Sequence, residues 1–95
     1  MKAYWIVVYK NIKNIENIKK YGEKATPAIQ KYKGVILVRG GKVKTIEGNP
    51  SPRTVLIQFP TMDDAIKCYN SSEYQEAMKI GNGEFNRHIQ IIEGV

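Results

Sequence analysis

The segment from Arg53 to Phe59 constrains the fold of this chain more than any other stretch. It reads Arg-Thr-Val-Leu-Ile-Gln-Phe, which is typical of a mostly buried strand. Because side chains alternate along a strand, one face carries Val55, Ile57 and Phe59 and the other carries Thr54, Leu56 and Gln58. Pro60 has no N–H to donate and ends the strand. Thr61, with Asp64 three residues later, then predicts the N-cap of a helix.

Three further segments have the composition of strands. They are Lys2–Tyr9, which is rich in Tyr, Trp, Ile and Val, then Val35–Arg39, and finally Asn86–Glu93. The pair Gly40-Gly41 allows a bend or a bulge at the end of the second strand. Gly, Asn, Pro and Ser residues within Lys42–Pro52 predict a long hairpin connection to the third strand.

The longest helix is predicted from apolar or small residues that recur at steps of three and four. They are Ile15, Ile18, Gly22, Ala25, Ile29 and Tyr32. Asn14 is placed to cap the start of this helix, and Gly34 to end it in the left-handed conformation. Pro27 interrupts the pattern and predicts either a kink or a fresh start with Thr26 as the cap.

A second helical region is predicted over Thr61–Tyr69, followed by a break at Asn70-Ser71-Ser72. Ser72 with Gln75 three residues later has the pattern of a capping box and predicts a short helical piece to about Lys79. Gly81-Asn82-Gly83 predicts the end of that piece.

The order strand, helix, strand, strand, helix, strand predicts an α+β, ferredoxin-like βαββαβ domain over residues 1–95. Right-handed crossovers give a four-stranded antiparallel sheet with both helical regions on one face and the first and third strands in the middle. The helices cover only one face of the sheet. On the other face, Leu56 and Ile92 would be exposed to water. Each large apolar side chain left exposed loses about 1.5–3 kcal/mol of the stabilisation that burial would give. The pattern therefore predicts a homodimer through the second sheet face.

Composition excludes several classes of function. One Cys (Cys68) and one His provide no metal-ligand cluster and no disulfide, so no metal, no cofactor and a cytoplasmic location are predicted. The longest apolar run near the N-terminus is too short for a membrane span. The net charge is +6, but Arg53–Phe59 lacks the exposed aromatic residues of an RNA-recognition strand, so nucleic-acid binding is not expected.

The candidate site is a group of polar residues around the mixed face of the sheet, namely Arg39, Glu47, Arg53, Gln58, Tyr69, Tyr74 and His88. His88 is the one side chain that could titrate near neutrality, and it is also typical of a surface or interface position. Arg39 ends an apolar strand, so its guanidinium needs either an ion pair with Glu47 or an anionic ligand. The sequence leaves both alternatives open and names no reaction.

Several of these segments resemble one known family, the domain of unknown function 1330. They are Ala3-Tyr4-Trp5-Ile6-Val7, Val38-Arg39-Gly40-Gly41, Arg53–Pro60, Cys68–Gln75 and Ile92-Glu93-Gly94. The resemblance implies a ferredoxin-like subunit that pairs into a dimeric α/β barrel, and it implies no established activity. It marks Tyr4, Arg39, Glu47, Arg53, Tyr69 and Tyr74 as a pocket.

Two departures from the family pattern weaken an enzymatic interpretation. Gln58 stands where the family usually has Glu, which removes a possible general acid or base. Ile80-Gly81 stands where an arginine commonly follows the second helix. The predicted function is therefore binding of a small anionic or carbonyl-bearing molecule between sheet and helices. The alternative is a structural or protein-interaction module with no small-molecule site.

Overall fold

A computed structural model describes the whole chain, residues 1–95. Four strands and three helices follow one another in the order β1 (Ala3–Ile12), α1 (Ile15–Lys31), β2 (Val35–Arg39), β3 (Thr54–Phe59), α2 (Met62–Asn70), α3 (Ser72–Gly81) and β4 (Phe85–Glu93). The sheet is antiparallel and has the order β2-β3-β1-β4. The predicted ferredoxin-like arrangement, with β1 and β3 in the middle, is confirmed. No helix is long and apolar enough to cross a membrane.

The helices cover one face of the sheet, which we call the helix face. Its fully buried strand residues include Trp5, Val7, Tyr9, Ile57 and Phe59. Ile89 and Ile91 of β4 pack against the same cluster, as their alternation predicts. Close packing of these side chains supplies most of the apolar burial that stabilises the fold.

The opposite face, which we call the open face, carries no helix. Register pairs between the strands place on it Tyr4, Ile6, Val8, Val35, Val38, Thr54, Leu56, Gln58, His88, Gln90 and Ile92. None of these residues is Asp, Glu, Lys or Arg. Half of Ile92 is exposed, at 53 %, and so is half of Val35. Lys10 of β1 borders this face beside Val8 and His88, and the rest of the face is uncharged and partly apolar.

Helix α1 begins as predicted but passes through Pro27 without a break. The Asn14 side chain accepts a hydrogen bond from the Glu16 N–H at 2.9 Å. Thr26 does not cap a new helix, because its hydroxyl donates to the Gly22 carbonyl one turn earlier, at 2.7 Å. The prediction that Ile15 belongs to the buried stripe is wrong, since 49 % of it is exposed.

The end of α1 differs from the prediction in one residue. Lys33, not Gly34, takes the left-handed conformation, with φ of 67°. The N–H groups of both residues bond back to the last turn, Lys33 to Gln30 and Gly34 to Ile29, which is a Schellman arrangement with lysine at the left-handed position. Gly34 is required for space, because a Cβ there would collide with Ile29 and lie 2.9 Å from the Phe59 ring.

The predicted capping box at Ser72 is also wrong by one residue. Ser71 caps α3 by accepting a hydrogen bond from the Tyr74 N–H at 3.1 Å, and its hydroxyl donates to the Cys68 carbonyl of α2 at 2.7 Å. Gln75 reaches back to the Tyr69 carbonyl instead of a cap N–H. A single buried serine thus ends one helix and begins the next, which explains why the break is so short.

A bulge lies inside β2 and not at Gly40-Gly41, where the sequence suggested it. Ile36 pairs with Ile57, but the next pair in register is Val38 with Leu56. Leu37 is therefore the extra residue, and beyond it the alternation of β2 is reversed. As a result Arg39 lies opposite Val55 on the helix face. Without the bulge it would lie on the open face.

Candidate functional site

A cavity of about 60 Å³ lies between the sheet and α1. On the same scale a single water needs roughly 10–15 Å³, so the cavity has room for a small group. Its apolar walls are formed mainly by Trp5, Val7, Ile18, Ala25, Ile29, Ile36, Val55 and Ile57. Outside it, an open groove of about 610 Å³ runs along α1 and shares several of the same residues. The groove connects the cavity to solvent.

All three arginines of the chain, Arg39, Arg53 and Arg87, line this cavity. None of them forms an ion pair. The four ion pairs of the structure all use lysine, and they are Lys19–Glu16, Lys31–Glu73, Lys67–Asp63 and Lys79–Glu76. The arrangement is unusual because a partly buried guanidinium ordinarily has a carboxylate partner.

Arg39 lies at the mouth of the cavity and also borders the outer groove. Its position depends on the bulge at Leu37, which turns the end of β2 toward the helix face. Bulges commonly re-aim one side chain in this way next to binding sites. The side chain is exposed, so the guanidinium is hydrated when the cavity is empty.

Arg53 lies next to Arg39, across the base of the β2–β3 hairpin. Its side chain lies against the backbone of Gly40, where a Cβ would be 2.6 Å from the Arg53 Cζ. Gly40 also has φ of 60°, so glycine is needed for conformation as well as for space. The Arg53 Nε is buried and has no hydrogen-bond partner. This donor is therefore unsatisfied in the absence of a ligand or water.

Arg87 forms the inner end of the cavity. Its guanidinium donates to the Tyr74 hydroxyl at 2.8 Å, the Tyr21 hydroxyl at 3.3 Å and the Tyr9 hydroxyl at 3.4 Å. It also lies 4.8 Å from the centroid of the Phe85 ring, in cation–π distance. The tyrosines and the ring take the place of a carboxylate partner.

The protonation states of this cluster follow from burial. Burial is the largest influence on Tyr21 and Tyr74, and it raises the pKa of both phenols above 10.0. For Arg87, burial acts to lower the pKa, but the surrounding tyrosines together outweigh burial and raise it. At neutral pH the phenols therefore keep their protons and Arg87 keeps its charge.

The cavity offers positive charge and hydrogen-bond donors but no general base. No carboxylate, imidazole or amide side chain lines it, and the nearest acidic residue, Glu23, borders only the outer groove. Such a lining can bind and polarise an oxygen anion or a carbonyl oxygen. Proton abstraction would need a base that the cavity lacks.

The structure brings together only part of the predicted site. Arg39 and Arg53 both line the cavity. Tyr74 lies one layer behind it, fully buried, and contacts the cavity residue Tyr21 through its hydroxyl. Glu47 lies in the exposed hairpin loop and forms no ion pair with Arg39, so the hypothesis of a structural pair has no support in the geometry.

The other predicted residues lie elsewhere. Tyr4, Gln58 and His88 are on the open face, on the far side of the sheet from the cavity. Tyr69 packs its ring near Trp5 and borders a separate apolar groove of about 500 Å³, together with Met62, Ile66, Ile89 and Ile91. The mixed face of β3, around which the sequence grouped these residues, does not contribute to the cavity.

Sequence reasoning missed Tyr9, Tyr21 and Arg87. Each carried a usable signal. Arg87 is two residues before Ile89 and therefore shares its buried face. Tyr9 continues the inward alternation of Trp5 and Val7, and Tyr21 is three residues after Ile18 on α1. The usable pattern was an arginine that falls on the buried face of its strand, together with tyrosines that fall on the buried faces of neighbouring elements.

Cys68 is the one cysteine of the chain and lies away from the cavity. Burial raises the pKa of its thiol to about 12, and the sulfur donates weakly to the Ala28 carbonyl at 3.8 Å. A protonated, enclosed thiol is unreactive. It acts as a small packing residue of α2.

Three crystal structures illustrate what the fold is similar to. RPA0582, a protein of unknown function from Rhodopseudomonas palustris, has a TM-score of 0.80 at 11% identity, over 99% of this chain and 82% of its own. A dimeric protein of unknown function and ferredoxin-like fold from Bacteroides fragilis has a TM-score of 0.63 at 17% identity, over 98% of this chain and 96% of its own. A candidate antibiotic biosynthesis monooxygenase from Caulobacter crescentus has a TM-score of 0.67 at 12% identity, over 98% of this chain and 90% of its own. At these identities the similarity establishes the fold alone.

At the level of sequence, no curated protein matches the chain significantly. Residues 2–95 match DUF1330, a domain of unknown function. This match covers nearly the whole chain, including the strand that ends in Arg39-Gly40-Gly41 and the junction of α2 and α3. The chain therefore belongs to the DUF1330 family, the one its sequence resembles.

Proposed function

We propose that this protein is a homodimer that binds a small anionic or carbonyl-bearing molecule in the cavity between the sheet and α1. The observation that carries the proposal is the convergence of Arg39, Arg53 and Arg87 on one cavity with no carboxylate among its lining residues. Like charges brought together without counter-ions disfavour the empty folded state. An anion with two or more oxygens would neutralise them and satisfy the free Nε of Arg53.

Dimerisation is supported by the composition of the open face. A four-stranded sheet face whose paired residues carry no charge, with Val35, Val38 and Ile92 exposed, is poorly suited to water. A second copy packed sheet to sheet would cover it. The protein from Bacteroides fragilis with the same fold is described as dimeric.

The ligand proposal is tested by thermal unfolding in the presence of small carboxylates and aromatic acids. A ligand at ten times its Kd stabilises the native state by about 1.4 kcal/mol, which is roughly 6–11 °C for a domain of this size. We expect Arg39→Lys to fold normally and to lose most of this shift, since lysine cannot offer a planar bidentate fork.

Lys44→Ala is the matched control, because it removes a positive charge from the exposed hairpin loop outside the cavity. It should leave the shift unchanged. If Arg39→Lys keeps the full shift, the planar fork of Arg39 does not hold the ligand, and if Lys44→Ala loses as much of the shift as Arg39→Lys, the effect is not specific to the cavity; either result contradicts the proposal. If no acid stabilises the protein, it is wrong as well.

A second candidate is a protein-interaction module. The observation that favours it is the apolar groove bordered by Met62, Ile66, Tyr69, Ile89 and Ile91, which has no polar side chain except the Tyr69 hydroxyl. The outcome that favours this candidate is a protein that no small acid stabilises and whose three arginines can be replaced by methionine without loss of stability.

The dimer proposal is tested by light scattering at micromolar concentration, where twice the chain mass of 10.8 kDa is expected. Ile92→Lys places a charge in the open face and should yield a monomer. Ile66→Lys, on the outer side of α2 with 43 % exposure, should leave the dimer intact. A monomeric parent protein, or dissociation by Ile66→Lys alone, contradicts an interface on the open face.

A further inference from the structure

The hydrogen bonds around Arg87 determine where each tyrosine proton can go. The Tyr74 hydroxyl is fully buried and has two neighbours, the Arg87 guanidinium and the Tyr21 hydroxyl. A guanidinium only donates, so the Tyr74 oxygen accepts from Arg87. The one acceptor left for the Tyr74 proton is therefore the Tyr21 oxygen. The opposite direction would leave a buried O–H without an acceptor, which is costly.

This assignment leaves the Tyr21 proton without a partner in the protein. The Tyr21 oxygen accepts from Tyr74 and from Arg87, at 3.3 Å, and so both its lone pairs are used. Its own O–H remains free, and Tyr21, unlike Tyr74, lines the cavity. The cavity is thus where an acceptor for this proton can be placed. Tyr9 also lines the cavity and also accepts from Arg87, with no acceptor for its own proton.

The cavity therefore has hydrogen-bond donors at two places. Arg39 and Arg53 provide guanidinium groups at the mouth, and Tyr21 and Tyr9 provide phenolic O–H groups at the inner end, where Arg87 lies behind them. The intervening walls are apolar. Apart from the phenols, the one side-chain acceptor in the lining is the Thr26 hydroxyl, which donates its proton to the Gly22 carbonyl and accepts no hydrogen bond from Tyr9 or Tyr21.

We infer that the ligand is a short-chain carboxylate that carries a carbonyl oxygen, such as a 2-oxo acid. This inference rests on the proposed function of the cavity. The carboxylate would lie between Arg39 and Arg53, where it also satisfies the buried Nε of Arg53. The carbonyl oxygen would accept the free proton of Tyr21, and the short alkyl part would contact the apolar wall. An ammonium group in the same place would meet guanidiniums and donors only, so amino acids are excluded.

The size of the cavity supports a compact ligand. About 60 Å³ suits a molecule of a few non-hydrogen atoms, whereas the connected groove of about 610 Å³ leaves room for a longer chain beyond the mouth. The experiment uses four acids of nearly equal size, which are pyruvate, lactate, propionate and alanine. They differ mainly in the group next to the carboxylate, so that they isolate the contribution of the inner donors.

Binding to the 95-residue chain is measured by calorimetry, with thermal shift as a second readout. We expect pyruvate to bind about tenfold more tightly than propionate, in keeping with one hydrogen bond to an otherwise unpaired donor. Lactate should fall between them, and alanine should not bind. Tyr21→Phe should abolish the preference for pyruvate over propionate. Tyr69→Phe, outside the cavity, should preserve the preference.

The selectivity series needs no variant, so it decides the inference even if Tyr21→Phe does not fold. If pyruvate binds no better than propionate, or if alanine binds equally well, the inference is wrong. If in that case larger acids such as benzoate still bind in an Arg39-dependent way, the proposed function stands. If no acid binds, both are wrong.

Discussion

The two ends of the layer between sheet and helices are built in different ways. At one end, which we call the closed end, Phe59, Ala65, Cys68, Tyr74 and Ala77 are fully buried and pack beneath α2 and α3. At the other end, beneath α1, the same sheet face borders the cavity. Trp5 lies at the boundary, because it lines the cavity and also donates a hydrogen bond to Ala65. Both ends use the same strands, so the difference arises from the side chains and not from the topology.

The closed end satisfies its buried polar groups within the chain. Trp5 Nε1 donates to the Ala65 carbonyl at 3.1 Å, and the Ser71 hydroxyl donates to the Cys68 carbonyl at 2.7 Å. The cavity end leaves the Arg53 Nε and the protons of Tyr9 and Tyr21 without acceptors. The comparison indicates that the closed end is stabilised by contacts within the chain, whereas the cavity end is where the proposed ligand would supply the missing partners.

The largest effect is expected from truncation at the closed end. Phe59→Ala removes a fully buried ring that contacts Trp5 at a centroid distance of 5.1 Å. It should lower the free energy of unfolding by about 3–5 kcal/mol. Ile36→Ala, at the half-buried cavity wall, should cost about 1–2 kcal/mol because less apolar area is lost. Equal losses in chemical denaturation would contradict the division into two ends.

The second prediction tests how tightly the closed end is packed. Gly34→Ala adds a methyl group that would collide with Ile29 and press on the Phe59 ring. It should lower the free energy of unfolding by about 1–3 kcal/mol, the usual cost of overpacking. Gly41→Ala is the control, since no atom lies within 4 Å of the added Cβ, and it should be nearly neutral. A neutral Gly34→Ala would mean that this end can relax more than its burial suggests.

The closed end was the more predictable of the two from sequence. Its helix and strand residues follow regular periods, so the faces of β3 and β4 and the cap at Thr61 could be derived from local spacing. Two positions were predicted wrongly there, each by one residue. The left-handed residue is Lys33 and not Gly34, and the cap of α3 is Ser71 and not Ser72. Both arise because neighbouring residues compete for one cap, and tertiary packing decides between them.

The cavity end could be predicted only in part. Arg39 and Arg53 were identified, but the bulge at Leu37 that brings Arg39 to the helix face has no sequence signature of its own. Glu47 was grouped with them because it is close to Arg39 along the hairpin, Gln58 and His88 because they share the mixed face of the sheet, and Tyr4 because of the family resemblance. Arg87 belongs to the last strand, and its approach to Tyr21 depends on the assembled sheet. Contacts between residues this far apart in the sequence cannot be derived from the periodicity of single elements.

The third prediction is that one substitution at the cavity end raises stability and weakens ligand binding. Gly22 lies on α1 facing the cavity, and an added Cβ would have no atom within 4 Å. Gly22→Ala should therefore raise the free energy of unfolding by about 0.5–1 kcal/mol, as expected for alanine in place of glycine inside a helix. The same methyl group narrows the cavity and should weaken pyruvate binding. A gain in stability with unchanged affinity would show that the ligand does not occupy the cavity beside α1.

The smallest effect concerns the ion pair that joins two helices over the closed end, Lys31 of α1 with Glu73 of α3. The hydrogen bond from Lys31, then those from the Glu73 N–H and the Ser72 hydroxyl, lower the pKa of the Glu73 carboxyl to about 2, from an ordinary value of 4.5. Because the folded-state pKa is depressed, the contribution of this carboxylate is fully present above pH 4.5. It is lost as the pH falls toward 2.

The thermal midpoints of the parent protein and of Glu73→Gln should therefore differ modestly at pH 7 and converge as the pH falls from 4.5 toward 2. The difference should also shrink in high salt, because both side chains are largely exposed. Glu93→Gln removes a carboxylate that forms no ion pair and serves as the control for loss of charge alone. If Glu73→Gln and Glu93→Gln have the same pH dependence, the ion pair does not stabilise the closed end. The difference between the closed end and the cavity end, with its unpaired arginines, would then be due to buried contacts alone.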